Sequence, residues 1–479
     1  MNDVNDFANT TPELRTKLET VLQRQRAAYL AKPYPDYQAR CADLHKLKRF
    51  VLENQDLICG AINADYGKRS RHETLMTEIM PVLHGIDHAL KNLRRWMKPQ
   101  RRPIDRLTFG LASNQVIPQP LGVVGVIVPW NFPLNLSLLP LVAIFAAGNR
   151  AMIKMSENSR HLARLLIKEL PDYFPSRKLQ VFEETGGVGV AFSKLPFDHL
   201  LFTGSGATGR AVMAAAAANL CPVTLELGGK SPAVVCEDFS LRTAAKRILY
   251  VKYLNAGQIC TTVDHVFVPN SRVDEFVKLA QKIMPVRYPR LDSPDYTAII
   301  DQRAFKRLQQ AMEDARDLGA QLIQLIPGPA FDEETRKIAP HIVLNAPADC
   351  ELMQREIFGP ILPVVGYDDL DEVVKRINAG PRPLALYPFS NKRSTQDMLL
   401  TNVMSGGVSI NDALFHVGQE DLPFGGVGAS GMGHYHGREG FETFSKLRPV
   451  FHQARFSSTA LLVPPYGQLA NKILKFLIK

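Results

Sequence analysis

Cysteine and tryptophan are scarce in this chain, six and two among 479 residues. The cysteines, at positions 41, 59, 221, 236, 260 and 350, form no CxxC pair and no metal-ligand spacing. That argues against a disulfide framework and against a zinc site, so no metal is expected, and it suits free thiols in a reducing compartment. Long apolar runs are missing too. No stretch approaches the roughly 20 residues of a membrane span, and the opening MNDVNDFANT lacks the charged-then-apolar profile of a secretory signal. No stable membrane span is expected, and the expected location is cytoplasmic. Acidic residues are in deficit, 47 against 57 basic ones, for a net charge of +10. Arg94, Arg95, Lys98, Arg101, Arg102 and Arg106 carry part of that excess around Trp96 and Pro99. They lack the aromatic-basic interleaving and the binding modules of nucleic-acid recognition, so no nucleic-acid partner is expected. A positive field that hastens the arrival of phosphate-bearing small ligands is the better reading.

What the chain does have is a 46% apolar fraction and a length that implies roughly two to four domains. Apolar strand-like runs alternate with helical stretches, the pattern of α/β architecture. Thr11, Pro12 and Glu13 read as a capped helix start, with Leu14, Leu18, Val21 and Leu22 on one face. LGVVGVIV at 121–128 is a β-branched run suited to a strand buried on both faces, followed by helical LSLLPLVAIFAAG. AMIK, LQVFEE, HLLFTG and PVTLEL continue a doubly wound first half. A second α/β series starts near Ser231 with PAVVC, a helix over 242–254, DHVFVP and a helix over 273–284, and later ILPVVGY and GGVSIN. The last stretch, QLANKILKFLIK, is amphipathic and basic. Such a helix can lie on a membrane surface, but apolar stripes by default pack against protein, so it is expected to cover the chain itself.

Candidate chemistry concentrates at Cys260 in NAGQICTT and at Glu226, thirty-four residues earlier, in TLELGGKSP. A thiolate can add to a carbonyl carbon, and a carboxylate can later activate the water that releases the acyl group. A lone cysteine is more often a small buried hydrophobe. GSGATG at 204–209 satisfies GxGxxG after a predicted strand and before the helical RAVMAAAAA, which points to a phosphate-binding turn facing a helix N-terminus. By that fingerprint alone an acidic residue about twenty positions on would hold a ribose, and Glu226 would be it. A histidine-assisted cysteine hydrolase is the rival chemistry, but only His265 lies near Cys260, inside strand-like DHVFVP, where a core role is expected.

Four further runs, PWNFP at 129–133, FTGSGATG at 202–209, EIFGP at 356–360 and PFGGVGASGMG at 423–433, resemble in this order the aldehyde dehydrogenase superfamily. LRRWMKPQRRP and GREGFETFSKLRPV are similar to its class 3 branch, and within it to the coniferyl aldehyde dehydrogenases. The resemblance implies an α/β fold with a doubly wound cofactor-binding domain (1–100 and 120–228), an α/β catalytic domain (229–415), a small β oligomerisation extension (101–119 and 436–457) and a tail (458–479). It implies NAD as cofactor, with NADP an alternative, and a homodimer. Cys260 becomes the nucleophile, Glu226 the general base and Asn131 the oxyanion amide, since an amide donates where a carboxylate would repel. Trp130, Gly204, Ser205, Gly209 and Phe358 line the cofactor, Lys154 and Glu157 face one ribose, and Glu356 faces the other. The implied activity is NAD(P)-dependent oxidation of an aldehyde to the acid through a cysteine thiohemiacetal and thioester. Apolar or aromatic aldehydes of the coniferyl type are the expected substrates, with medium-chain aliphatic aldehydes as the alternative. Phe132, Leu134, Leu138, Phe415 and His416 are expected to wall the entrance. A catalytically silent binding protein of the same fold is the other reading; loss of Cys260 or Glu226 would mark it, and both are present.

Overall fold

The computed structural model describes residues 11–478. Its first helix, Pro12–Ala31, begins where Thr11 accepts a hydrogen bond from the Leu14 N–H at 3.3 Å, and it buries Leu18, Val21 and Leu22. Six strands then form one sheet in the order Gly431–Met432, Val223–Leu227, His199–Gly204, Val123–Ile127, Arg150–Lys154 and Leu179–Phe182. All neighbours are parallel except the edge strand Gly431–Met432, which runs antiparallel and sets Gly431 opposite Glu226. Val123–Ile127 is buried along its whole length, as a strand covered on both faces must be. Helix Asn135–Ala147 is apolar all round and buried from Leu136 to Ala147, so it forms the middle of the core rather than one of its walls.

A second, seven-stranded sheet runs Gln321–Gln324, His341–Leu344, Ile361–Tyr367, His265–Pro269, Pro232–Val235, Ala385–Phe389 and Gly407–Val408. Only its first pair is antiparallel. Between Pro232–Val235 and His265–Pro269 the chain crosses over through helix Leu241–Tyr253, and the segment carrying Cys260 is the return of that crossover. The predicted helices over 242–254 and 273–284 are observed as Leu241–Tyr253 and Val273–Arg287.

A third sheet joins Gln100–Arg102, Ser113–Pro120 and Ser445–His452, all antiparallel, with Leu447 and Phe451 exposed on its last strand. Not all of 436–457 belongs to it. Gly437–Thr443 is a helix with Gly440 and Phe441 buried; the Phe441 ring lies 5.7 Å from that of Trp96, and the helix packs on Met80–Trp96 and Asn135–Ala147. An aromatic at this position is worth more in the core than on an exposed ribbon. The tail also differs from expectation. Helix Gln468–Leu477 buries only Ala470, while Leu469, Phe476 and Ile478 stay exposed, so it does not cover the chain's own surface. Among the described residues no helix is long and apolar enough to cross a membrane.

One irregularity had no sequence signal. Between the short helix Arg71–Thr74 and the long helix Met80–Trp96 the backbone widens into a π-turn over Leu75–Ile79.

The edge strand is closely fitted. Gly431 has φ +137°, and a methyl group there would lie 2.1 Å from the Leu225 carbonyl oxygen. Gly431→Ala should therefore lose about 2–4 kcal/mol of stability. A calorimetric melting temperature within 1 °C of the parent, about 1 kcal/mol or less for 479 residues, would show that the strand is not held this tightly.

Candidate active site

Helix Leu241–Tyr253 ends in a tight reversal in which Asn255, Ala256 and Gly257 all have positive φ, +50°, +49° and +75°. The two non-glycine residues are strained there. Gly257 is required: a methyl group on it would lie 2.3 Å from the carbonyl oxygen of Gly359, so the cysteine loop rests directly on the EIFGP segment. Cys260 follows, partly exposed. Burial pushes its thiol up to about 12, and the carboxylates of Glu356 and then Glu226 act in the same direction. Glu226, on strand Val223–Leu227, is buried, neither of its oxygens has a hydrogen-bond partner, and burial holds its pKa well above the usual carboxylate range. The loop 423–433 presses on it, since a methyl group at Gly425 would sit 3.1 Å from the Glu226 Oε1.

Asn131 lies between these groups and the N-terminal helices. Its side-chain amide points at the cysteine loop and donates to the Gln258 carbonyl at 3.3 Å. Its main-chain carbonyl accepts from the Tyr66 hydroxyl at 2.9 Å, Arg69 Nη1 at 2.8 Å and Asn255 Nδ2 at 3.4 Å. Gln258 in turn donates to the Asn255 and Ala298 carbonyls and accepts from the Ile300 N–H. Asn255 and Gln258 stand in the NAGQICTT run; Tyr66 and Arg69 lie outside all of the motif runs.

The candidate cofactor residues form a second group. Trp130 meets the Phe358 ring edge-on at 5.4 Å, and Phe358 itself has φ +52°. Gly204 ends its strand, and Ser205 caps helix Gly206–Ala217, its hydroxyl accepting from the Thr208 N–H at 3.3 Å. A methyl group on Gly209 would come within 2.7 Å of Leu227, so that glycine lets the helix seat against the strand bearing Glu226. Glu356 accepts from the Gly229 N–H at 3.2 Å and is pushed up to about 8, chiefly by burial. A methyl group at Gly228 would overlap it at 2.1 Å, so the glycines after Glu226 are what admit Glu356. The donor set fits a dinucleotide: a capped helix N-terminus with Ala207 and Thr208 exposed for phosphate, and carboxylates for hydroxyls. Lys154 and Glu157 are not brought to each other. Lys154 Nζ pairs with Glu184 at 2.7 Å, an acidic partner the sequence did not suggest, while exposed Glu157 accepts from the Ser156 hydroxyl at 3.2 Å.

The expected entrance wall needs correction. Leu134 and Leu138 have no exposed surface and pack in the main core, and Phe132 is nearly buried, its ring 5.2 Å from the Arg69 guanidinium. Residues that close a helix start against the core cannot also line a mouth. Phe415 is exposed and His416 half-buried with Nε2 unpartnered, so these two remain at the surface side. His265 is buried beside Asp264, in the core role expected of it. No group of three or more His, Cys, Asp or Glu among the described residues could hold a metal ion.

A family model described as the aldehyde dehydrogenase family matches residues 15–450. The chain belongs to the aldehyde dehydrogenase family. It is accordingly an NAD(P)-dependent aldehyde dehydrogenase. It is 51% identical over 459 residues, 95% of each chain, to a probable coniferyl aldehyde dehydrogenase of Pseudomonas aeruginosa. It is 40% identical over 474 residues, 98% of each chain, to a coniferyl aldehyde dehydrogenase of Pseudomonas sp. strain HR199. Among solved structures, substrate-bound Staphylococcus aureus AldH matches with a TM-score of 0.91 at 33% identity, covering 96% of this chain and 99% of that one. The NAD+ complex of the Bacillus cereus aldehyde dehydrogenase matches with a TM-score of 0.81 at 25% identity, covering 92% and 89%.

With its thiol at about 12, Cys260 of the protein alone should react with iodoacetamide at a rate that climbs roughly tenfold per pH unit from pH 7 to 9, because only the thiolate attacks. Mass-spectrometric counting of alkylated Cys260 measures this; a plateau below pH 8 would contradict the burial of the thiol and, after it, the placement of the two carboxylates.

Proposed function

We propose that this aldehyde dehydrogenase acts on aromatic, hydroxycinnamyl-type aldehydes of the coniferyl class through covalent catalysis at Cys260. The observation that carries the mechanism is the convergence of a thiol, an unpartnered buried carboxyl and a side-chain amide on one loop. The Cys260 sulfur, as thiolate, adds to the aldehyde carbon, and the carbonyl π pair moves to oxygen. The Asn131 amide and the Cys260 N–H donate to that oxyanion. When the C=O bond re-forms, the hydride leaves carbon and a thioester remains on Cys260. When bound, the oxidised nicotinamide supplies the hydride acceptor and a positive charge that favours both the thiolate and the carboxylate. Glu226 then takes a proton from water, hydroxide adds to the thioester carbon, and the thiolate departs, leaving the carboxylic acid.

The substrate class rests on the coniferyl aldehyde dehydrogenases at 40–51% identity and on the exposed Phe415, which precedes the glycine-rich loop in sequence. An aromatic ring buried at the site would gain roughly 1.5–3 kcal/mol over an exposed one, about ten- to a hundredfold in kcat/KM, whereas acetaldehyde has little to bury. Medium-chain aliphatic aldehydes are the second reading. Exposed Glu157 repels a 2′-phosphate and favours NAD, and Lys154, engaged by Glu184, does not offset it. Homodimerisation through the three-stranded sheet and a cytoplasmic location complete the proposal.

Two experiments test it. Glu226→Gln should give one burst of reduced cofactor per subunit and then stall, since hydride transfer precedes water activation; normal turnover with weakened cofactor affinity would return Glu226 to the ribose. In a panel of acetaldehyde, hexanal, benzaldehyde and coniferyl aldehyde, the last should show the highest kcat/KM. Acetaldehyde in first place would sink the apolar reading, and hexanal clearly ahead of both aromatic compounds would sink the coniferyl one.

A further inference from the structure

The mechanism uses nothing from residues 66–79, yet that segment places two carboxylates against the site from behind. Glu73 and Glu78 are both buried. In a regular α-helix residues five apart diverge by about 140° around the axis, but the π-turn Leu75–Ile79 inserts one extra residue, and both carboxylates point inward. Each reaches a different part of the site. Glu78 Oε2 accepts from the Leu134 and Asn135 N–H groups at 3.0 and 2.9 Å, capping the helix that follows Asn131. Its other oxygen lies 3.4 Å from Arg69 Nη1, the nitrogen that donates to the Asn131 carbonyl at 2.8 Å. Glu73 accepts from the Asn255 N–H at 3.1 Å and from the Thr297 hydroxyl at 2.5 Å. Asn255 is the first of the three positive-φ residues that lead to Cys260.

Simple core stability does not explain this arrangement. Fully buried carboxylates are costly to place, and apolar residues would fill the same volume at lower cost. What the carboxylates add is direction: Glu78 fixes the peptide that carries Asn131, and Glu73 anchors a strained turn whose geometry sets the Cys260 N–H. Those are the two donors assigned to the oxyanion.

We propose that Glu73 and Glu78 are positioning residues for oxidation, Glu78 acting through Arg69 and the helix start on the Asn131 amide, and Glu73 acting through Asn255 on the cysteine loop. The inference rests on the covalent mechanism proposed above. It differs from a merely structural role in predicting two separable defects. Glu78 touches the amide side alone, so its loss leaves the thiol's reactivity in place. Glu73 touches the turn that carries the thiol, so its loss alters both.

The test compares the full-length wild type with Glu73→Gln and Glu78→Gln in three measurements: single-turnover formation of reduced cofactor, cofactor dissociation constant, and the rate of Cys260 alkylation by iodoacetamide. Glu78→Gln should slow single turnover by about ten- to a hundredfold, on the scale of a mispositioned oxyanion donor, with cofactor affinity and alkylation within about twofold of wild type. Glu73→Gln should slow single turnover and also shift the alkylation rate at least about fivefold, again without changing cofactor affinity. Combined with Asn131→Ala, Glu78→Gln should add little further loss. Folded variants with single-turnover rates within about threefold of wild type, or full additivity with Asn131→Ala, overturn the proposal. If either variant does not fold, Arg69→Lys replaces Glu78→Gln and Thr297→Val replaces Glu73→Gln, with the same expected split. Wild-type enzyme that keeps its turnover after stoichiometric Cys260 alkylation would instead overturn the covalent mechanism, a different outcome from failure of the positioning roles.

Discussion

The main-chain carbonyl of Asn131 is the point on which the site depends. One oxygen accepts from Tyr66 on the helix Gln55–Tyr66, from Arg69 in the loop after it, and from Asn255 beyond the crossover helix of the second sheet. Each of these donors is buried, so the bonds form in a low-dielectric setting where they are strong and where leaving any of them unmade is expensive. Three chain segments far apart in sequence are thereby referred to one atom, and the amide on the same residue inherits that fixed frame.

Electrostatically the site favours the neutral forms of its acidic groups. Burial holds the thiol, Glu226 and Glu356 each toward its neutral form; Glu356 and Glu226 add like-charge pressure on the thiol, and Asp264 adds it on Glu356. The buried Lys252, itself lowered to about 7 by loss of water, acts on Asp264 and Glu356. A neutral thiol is a poor nucleophile toward stray electrophiles and oxidants.

Much of this was legible in the sequence because the informative residues sit in runs. The alternation of β-branched strands and helices gave both sheets, since burial on both faces demands LGVVGVIV-like composition. Cys260 and Glu226 drew attention because small residues crowd around them, and Asn131 through the resemblance of PWNFP; Gly257, Gly228 and Gly425 are where a side chain would collide with Gly359, Glu356 or Gly433. The supporting shell was not readable. Glu73 and Glu78 look like ordinary helix charges, since nothing in RHETLMTEIM announces a π-turn, and Lys154 chose Glu184 over the nearer Glu157 because strand ends are joined across the sheet and not along the chain. Leu134 and Leu138 were misplaced for a similar reason. An apolar residue near a reacting group reads alike whether it faces a mouth or the core.

The strand that carries Glu226 is closed on its outer side by Gly431–Met432, more than two hundred residues further along the chain. During synthesis, with the chain emerging in order from the N-terminus, Cys260 leaves the ribosome long before that edge exists. The pocket around Glu226 is therefore finished only when residue 432 has been made. Until then the growing chain carries a cysteine and a carboxylate that have not yet been assembled into an enzyme, and premature termination anywhere before that point yields an incomplete sheet and no working site.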